Sequence, residues 1–303
     1  MLLRVADSLY WMARNIERAE NHAHVLSVEL IQALEASDED LLMNEEWDLI
    51  LDICGAEDKR ETFLTSGHPD LEKIIHFLTF SSNNPSSTYQ CMKIARENAR
   101  QSRDHLSNDL WMIMNEFYLY LTKWKDAHWS KYHIQGTLQR VKMTSLSVQG
   151  VIETTASRGV DYRLLKIGVW VERADHMLRI LRSICTKLQE QPQHTTYYLN
   201  LALQLSKGSD AYLKGQLPYM RPEQVFSFLM LNPDFPRSLR YCMDHAWYAI
   251  KQIEGDQGLG YAKQLKDTLL QMTGDIQSLP VANFDIDYIV EFFENQYAGI
   301  KVP

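Results

Sequence analysis

From Leu2 onward, apolar residues recur at Leu2, Val5, Leu9, Met12, Ile16, Ala19, Ala23, Leu26, Leu30 and Ala33, the alternating three-and-four spacing of a helix seam. A second run, Leu164, Ile167, Val171, Ala174, Leu178, Leu181, Cys185 and Leu188, keeps the frame of Leu9 through Ala33. Helical periodicity fills most of the chain and period-two strand patterns are nearly absent. The pattern therefore predicts an all-α protein: a bundle of long helices with shorter C-terminal helices packed on it.

The spacing predicts a first helix over about 3–35, with Ser37-Asp38-Glu39-Asp40 ending it or capping the next. Short helices are expected near 44–54, 58–65 and 69–80. The run Ser81-Ser82-Asn83-Asn84-Pro85-Ser86-Ser87 breaks the pattern, because these side chains compete for the backbone's own hydrogen bonds. Further long helices are expected over about 87–123, 127–156 and 160–190, with Ser157-Arg158-Gly159 as the last turn. Beyond Gln191-Pro192 six of the nine prolines fall between Pro192 and Pro280, and the apolar segments shorten. Pro222 through Leu231 reads as one short helix. Phe235-Pro236-Arg237-Ser238-Leu239-Arg240-Tyr241-Cys242 reads as the start of another, with proline at an early helical position. No low-complexity tract or flexible linker interrupts the chain, so a single domain over 1–303 is expected, the long helices in about 1–190 and the shorter ones in about 191–303.

Glu17-Arg18-Ala19-Glu20 lies beside the first seam, and Glu172-Arg173-Ala174-Asp175 lies at the same phase of the second. On the first helix Tyr10, Arg14, Glu17, Asn21 and His24 share one lane flanking the seam. Such a lane is either a solvated face with weak i, i+3 and i, i+4 pairs, or a partly buried polar network. The repetition favours the network, since a solvated face has no reason to reproduce an acid, a base and a small alanine in one frame. If the two helices face each other, Glu17 and Arg18 meet Arg173 and Glu172 in crossed pairs. A second polar stripe, Lys93, Arg96, Arg100 and Arg103, with Glu97 and Asp104 one position round, reads as an anion site or as a basic edge answering acidic neighbours. Arg237, near a helix N-terminus where a cation is disfavoured, needs an anionic partner or belongs to that anion site.

With 303 residues, 45% of them hydrophobic, a substantial core is available. The net charge of −8 and pI near 5.7 argue against nonspecific nucleic-acid or anionic-membrane binding. Cys54, Cys91, Cys185 and Cys242 have neither metal-ligand nor redox spacing, and read as buried thiols in a reducing compartment. Arg4, Asp7 and Arg14 punctuate the opening, and no apolar run approaches the roughly 20 residues needed to span a bilayer, so the expectation is a soluble, cytoplasmic protein. No phosphate-binding glycine loop, nucleophile elbow or zinc-protease motif is present, and no cofactor is expected. A carboxylate-bridged metal centre uses Glu-x-x-His, whereas the copies here read Glu17-x-x-Glu20 and Glu172-x-x-Asp175, with histidines four residues after acids (Glu20 with His24, Glu172 with His176). Arg18 and Arg173 would repel a cation.

The run Leu9-Tyr10-Trp11-Met12-Ala13-Arg14, continued by Ile16-Glu17-Arg18-Ala19-Glu20-Asn21, resembles the opening of the bacterial alpha-E domain family. The resemblance continues at Ala95-Arg96-Glu97-Asn98-Ala99-Arg100, at Val171-Glu172-Arg173-Ala174 and at Phe235-Pro236-Arg237-Ser238, so it covers most of the chain. One departure is Val169, where a family-like second copy carries a basic residue matching Arg14. The resemblance implies an association with circularly permuted ATP-grasp proteins and transglutaminase-like proteins, beside which members are encoded or to which they are fused, in peptide- or amide-bond synthesis. An accessory subunit that presents an acidic or peptidic substrate, while its partner handles ATP, is the first expectation. Arg96 and Arg100 are candidates there for a carboxylate or phosphate. Two others stay open: an autonomous enzyme using Glu17 or Glu172 as general acid or base, and a structural protein whose Glu-Arg pairs fix helix register.

Overall fold

The computed structural model describes residues 3–35, 46–59, 71–125, 131–215 and 220–257, with a few isolated positions (63, 267, 271, 274 and 275). Among the described residues every regular element is helical. The α-helices are α1 (Leu3–Glu35), α2 (Glu46–Ile53), α3 (Leu71–Thr79), α4 (Thr88–Gln101), α5 (Asn108–Trp124), α6 (Lys131–Thr155), α7 (Val160–Glu190), α8 (Thr195–Leu205), α9 (Ser209–Gly215), α10 (Pro222–Leu231) and α11 (Leu239–Gln257). Single 3-10 turns stand at Glu57–Lys59, Arg103–His105 and Pro192–His194. The all-α expectation holds. The chain divides into two compact units, residues 1–169 and 170–303, with the division inside α7.

In the first unit α1 packs on α3, α4 and α6, and α5 packs on both α4 and α6, so α1, α4, α5 and α6 close a ring. The small side chains of Ala13, Ala19 and Ala23, all buried, let neighbouring helices approach α1 closely. Most of α1 between Ala6 and Leu30 is out of solvent, so it is a central helix rather than a surface one with a wet face. The turn between α6 and α7 is clamped by Glu153. Its carboxylate accepts from Lys166 Nζ at 2.8 Å and from the Tyr162 hydroxyl at 3.1 Å, with Arg158 at 3.1 Å.

The helix expected over 87–123 is two helices. Ser102 bonds back to the Asn98 carbonyl through both its N–H and its hydroxyl, ending α4. The Arg103–His105 turn follows, and Ser107 then caps α5 by accepting from the Leu110 N–H. The apolar period runs through this break because two antiparallel neighbours bury the same faces a single helix would. Arg103 consequently lies off α4 and its stripe. The helix expected at 58–65 is described only as the 3-10 turn Glu57–Lys59 and residue 63. The Ser37–Asp40 cap, the start of the 127–156 helix, Ala33's side chain and Pro280 lie outside the described residues.

In the second unit α10 packs on α8 and α11, and α9 on α8. Aromatic rings fill its interior: Tyr212 meets Phe228 edge-on at 5.3 Å, and Phe228 stacks on Phe235 at 4.7 Å. Pro236 stands before α11 rather than inside it. The cap is Ser238, whose hydroxyl accepts from the Tyr241 N–H, because serine offers an acceptor that proline and arginine lack. All four cysteines are free and buried, and burial pushes the Cys185 thiol well above its ordinary range.

Candidate functional site

The lane read from the sequence on α1 is buried. Glu17 is 0% exposed and Arg14 4%, and Glu20, Asn21 and His22 are also out of solvent, while Arg18 and His24 are half-buried. A charge in such a place needs hydrogen-bond partners, since desolvation otherwise costs several kcal/mol. For Glu17 one partner comes from across the bundle: Gln149 on α6 donates from Nε2 to Glu17 Oε2 at 2.9 Å. Arg14 donates from Nη1 to the Tyr10 hydroxyl at 3.2 Å, and its guanidinium lies 5.7 Å from the Tyr10 ring centre and 5.1 Å from that of Trp11. Guanidinium on aromatic faces keeps Arg14's charge while shedding water.

Next to Arg14 the backbones nearly touch. A Cβ built on Gly168 of α7 would stand 2.5 Å from the Tyr10 carbonyl oxygen, 3.0 Å from Ala13 Cβ and 3.3 Å from the Arg14 nitrogen. Only glycine fits there. Gly168 and Gln149 are two positions missed by the sequence reading, as are Asn115, Trp111 and Tyr118 around Arg96. A glycine inside an apolar helical period was a usable signal for the first. A lone amide on α6 gave none for the second.

In the second unit Glu172 is 3% exposed, Asp175 and His176 are buried and Arg173 is half-buried. Asp175 pairs with Arg179 one turn on, at 3.3 Å. Trp170 lies 5.3 Å from His245, which stacks at 3.8 Å on Tyr241. Arg237 is half-buried in the turn before α11. The copied Glu-Arg element is thus buried at its glutamate both times.

Arg96, Glu97 and Arg100 form a separate group turned toward α5. Glu97 bridges the arginines, at 2.8 Å from Arg96 Nη1 and 3.0 Å from Arg100 Nε. Arg96 Nε also donates to Asn115 Oδ1 at 2.8 Å, and its guanidinium lies 4.8 Å from the Tyr118 ring and 5.5 Å from the Trp111 ring. The Tyr118 phenol is held below its ordinary range, foremost by its hydrogen bond with Tyr89, then by Thr122 and the charges of Arg96 and Lys93, against the upward push of burial. Among the described residues no three His, Cys, Asp or Glu side chains stand where they could hold a metal ion, and no helix is long and apolar enough to cross a membrane.

Fold and site together define an all-helical protein with a repeated Glu-Arg element whose glutamates are packed inside the helices. The chain belongs to the Alpha-E family, described as "a predicted alpha-helical domain with a conserved ER motif", whose profile matches residues 1–300. Among curated proteins it is similar to Mb2597 of Mycobacterium bovis, 22% identical over 279 residues, which covers 88% of this chain and 31% of that protein. It is also similar to Rv2567 of Mycobacterium tuberculosis, 21% identical over 279 residues with the same coverage. Both relatives are named as uncharacterized, and this chain spans under a third of their length. No solved structure matches it.

Proposed function

We propose that this protein is a helical accessory subunit for an ATP-grasp amide or peptide ligase, holding or orienting an acidic or peptidic substrate while the ligase handles ATP. The observation that carries this reading is the closure of the Glu-Arg element. A general acid or base must come within hydrogen-bond reach of its substrate, and Glu17, at 0% exposure with Gln149 on one oxygen, is built into the packing instead. That favours a rigid scaffold over an autonomous enzyme. The mycobacterial relatives support it from another side: there the matching segment is 31% of a much longer chain, as a module joined to other machinery would be. Implied partners are a circularly permuted ATP-grasp protein and a transglutaminase-like protein.

The test is reconstitution. The ATP-grasp protein encoded nearest to this one is purified, and its ADP release with acidic peptide acceptors is measured with and without this chain. The expected result is a stable complex on size exclusion and a several-fold rise in turnover. Unchanged turnover, with no complex at micromolar concentrations, would refute the reading.

A further inference from the structure

The duplication extends well beyond Glu-Arg. From α1 to α7 the shift is 155 positions (17 to 172), pairing Leu9 with Leu164, Ile16 with Val171 and Leu26 with Leu181. From α2 to α8 it is 152 (55 to 207), and the two helices end alike. The Ala56 N–H reaches back to Leu51 O at 2.8 Å and Gly55 to Asp52 O at 2.9 Å; the Gly208 N–H reaches Leu203 O at 2.7 Å and Lys207 reaches Gln204 O at 3.0 Å. Gly55 and Lys207 both take the left-handed conformation, with φ of 69° and 59°.

From α3–α4 to α10–α11 the shift is 151 (87 to 238). Ser87 Oγ donates to Ser81 O at 2.9 Å and accepts from the Gln90 N–H at 3.3 Å. Ser238 Oγ donates to Asn232 O at 2.5 Å and accepts from the Tyr241 N–H at 3.0 Å. Pro85, Cys91, Met92 and Ala95 match Pro236, Cys242, Met243 and Ala246, the last three pairs buried in both copies. Shared bonds at shifts of 155, 152 and 151 make α1 to α4 and the set α7, α8, α10 and α11 two copies of one helical unit, so a residue carried by one copy and not the other is not required for these helices to form.

One chemical difference falls on the side of α4 turned toward α5. Lys93, Arg96 and Arg100 answer to Asp244, Trp247 and Lys251 in the second copy, so this helix is built without the basic row. In the first copy two further cations from outside α4 flank the row: Arg103, in the turn after the helix and 5.9 Å from the Trp111 ring, and Lys125, at the end of α5 and 5.8 Å from the Tyr89 ring. Five cations stand along the α4–α5 seam against Glu97, Asp104 and Asp109, on a chain of net charge −8. Arg100 is 64% exposed at its side chain and Lys93 is exposed, while Arg96, whose Nε and Nη1 already serve Asn115 and Glu97, adds its charge against the Trp111 and Tyr118 rings.

We propose that the α4–α5 groove of the first copy is a binding site for an extended acidic peptide segment. The distance decides against a single small anion: along α4 from residue 89 to residue 100 the row runs about 16 Å at about 1.5 Å per residue. An extended chain covers that with about five residues at about 3.3 Å each. The rings of Trp111 and Tyr118 supply flat faces for the backbone and methylenes between the carboxylates. The inference rests on the accessory-subunit reading only in supplying a place for its acidic substrate.

Binding is measured on the full chain alone, so a failed reconstitution leaves it standing and a failed titration leaves the ligase partnership standing. Labelled hexaglutamate is titrated by fluorescence anisotropy in low and moderate salt, with hexathymidylate as a second polyanion. Lys93→Asp installs the residue the second copy carries, so the melting temperature should hold while hexaglutamate affinity falls at least tenfold; Arg100→Lys, chosen the same way, should fall less. Saturable binding lost in Lys93→Asp supports the site. No binding of hexaglutamate at millimolar concentration, equal binding by Lys93→Asp, or hexathymidylate binding as tight as hexaglutamate each overturns it.

Discussion

Three glycines inside helices make opposite predictions for one substitution. At Gly136 and Gly150 on α6, an added Cβ meets nothing within 4 Å. Alanine there should stabilise by about 0.5–1 kcal/mol, the difference in backbone freedom and helix propensity. At Gly168 the Cβ stands 2.5 Å from the Tyr10 carbonyl oxygen, 0.9 Å inside the 3.4 Å at which ordinary contact begins. The obstacle is backbone, which no rotamer change moves, and Ala13 Cβ at 3.0 Å blocks an adjacent direction. Overpacking of this kind costs about 1–3 kcal/mol. Set against a propensity gain of about 1 kcal/mol, Gly168→Ala should come out net destabilised, by up to about 2 kcal/mol. Urea unfolding followed by circular dichroism measures all three variants with a common slope. Gly168→Ala unfolding at or above the parent midpoint, while Gly136→Ala and Gly150→Ala rise, would show that α7 does not approach α1 as described.

Replacing Gln149 by leucine removes the donor to Glu17 Oε2 while keeping bulk, and should cost about 1–3 kcal/mol, the penalty for an under-bonded buried acceptor; a loss within 0.3 kcal/mol in urea unfolding would place that carboxylate in water. Lys207→Gly, at φ 59°, should raise the melting temperature, and Gly55→Ala, at φ 69°, should lower it, each by about 1 kcal/mol in stability; equal signs in a thermal melt would break the equivalence of the two helix ends. The Glu153 carboxyl is pushed up by burial but held below its ordinary 4.5 by the hydrogen bond and charge of Lys166, with Tyr162 and Arg158. A depressed carboxylate contributes stability above its unfolded pKa and loses it as pH falls through the folded value. Stability should therefore drop below about pH 4.5, and less steeply in Glu153→Gln, as read from urea midpoints between pH 6 and 3.

The helix seam of α1 and the phase of its copy were legible because apolar period and a repeated charged tetrad are local patterns. Their burial followed from the same repetition. The break at Ser102–Ser107 was not, because apolar period carries on when two antiparallel neighbours bury matching faces; the serines at 102 and 107 were the available sign. The duplication was readable at Pro85, Ser87, Cys91 and Met92 against Pro236, Ser238, Cys242 and Met243, yet the shift falls from 155 to 152 to 151 along the chain, so one fixed frame finds only its first part. Gln149 could not be read at all. Its role comes from the register of α6 against α1, a tertiary fact to which an amide's sequence neighbours are indifferent.

The duplication also bears on what the Glu-Arg element is for. Buried ions are poor sources of net stability, since well-packed apolar residues often do as well or better. Both copies nevertheless bury the glutamate beside a half-buried arginine, within seams that apolar residues already fill. A charge that must find its partners penalises every register but one, as polar residues at coiled-coil seams do. On that argument Glu17 and Glu172 set where α1 and α7 come to rest, and recognition is left to surfaces the copies do not share. Glu17→Gln should then broaden the thermal transition or lower its midpoint, while hexaglutamate affinity measured below that transition stays within twofold of the parent. A tenfold loss of affinity in a Glu17→Gln chain with an unaltered melt would instead put this glutamate in contact with ligand.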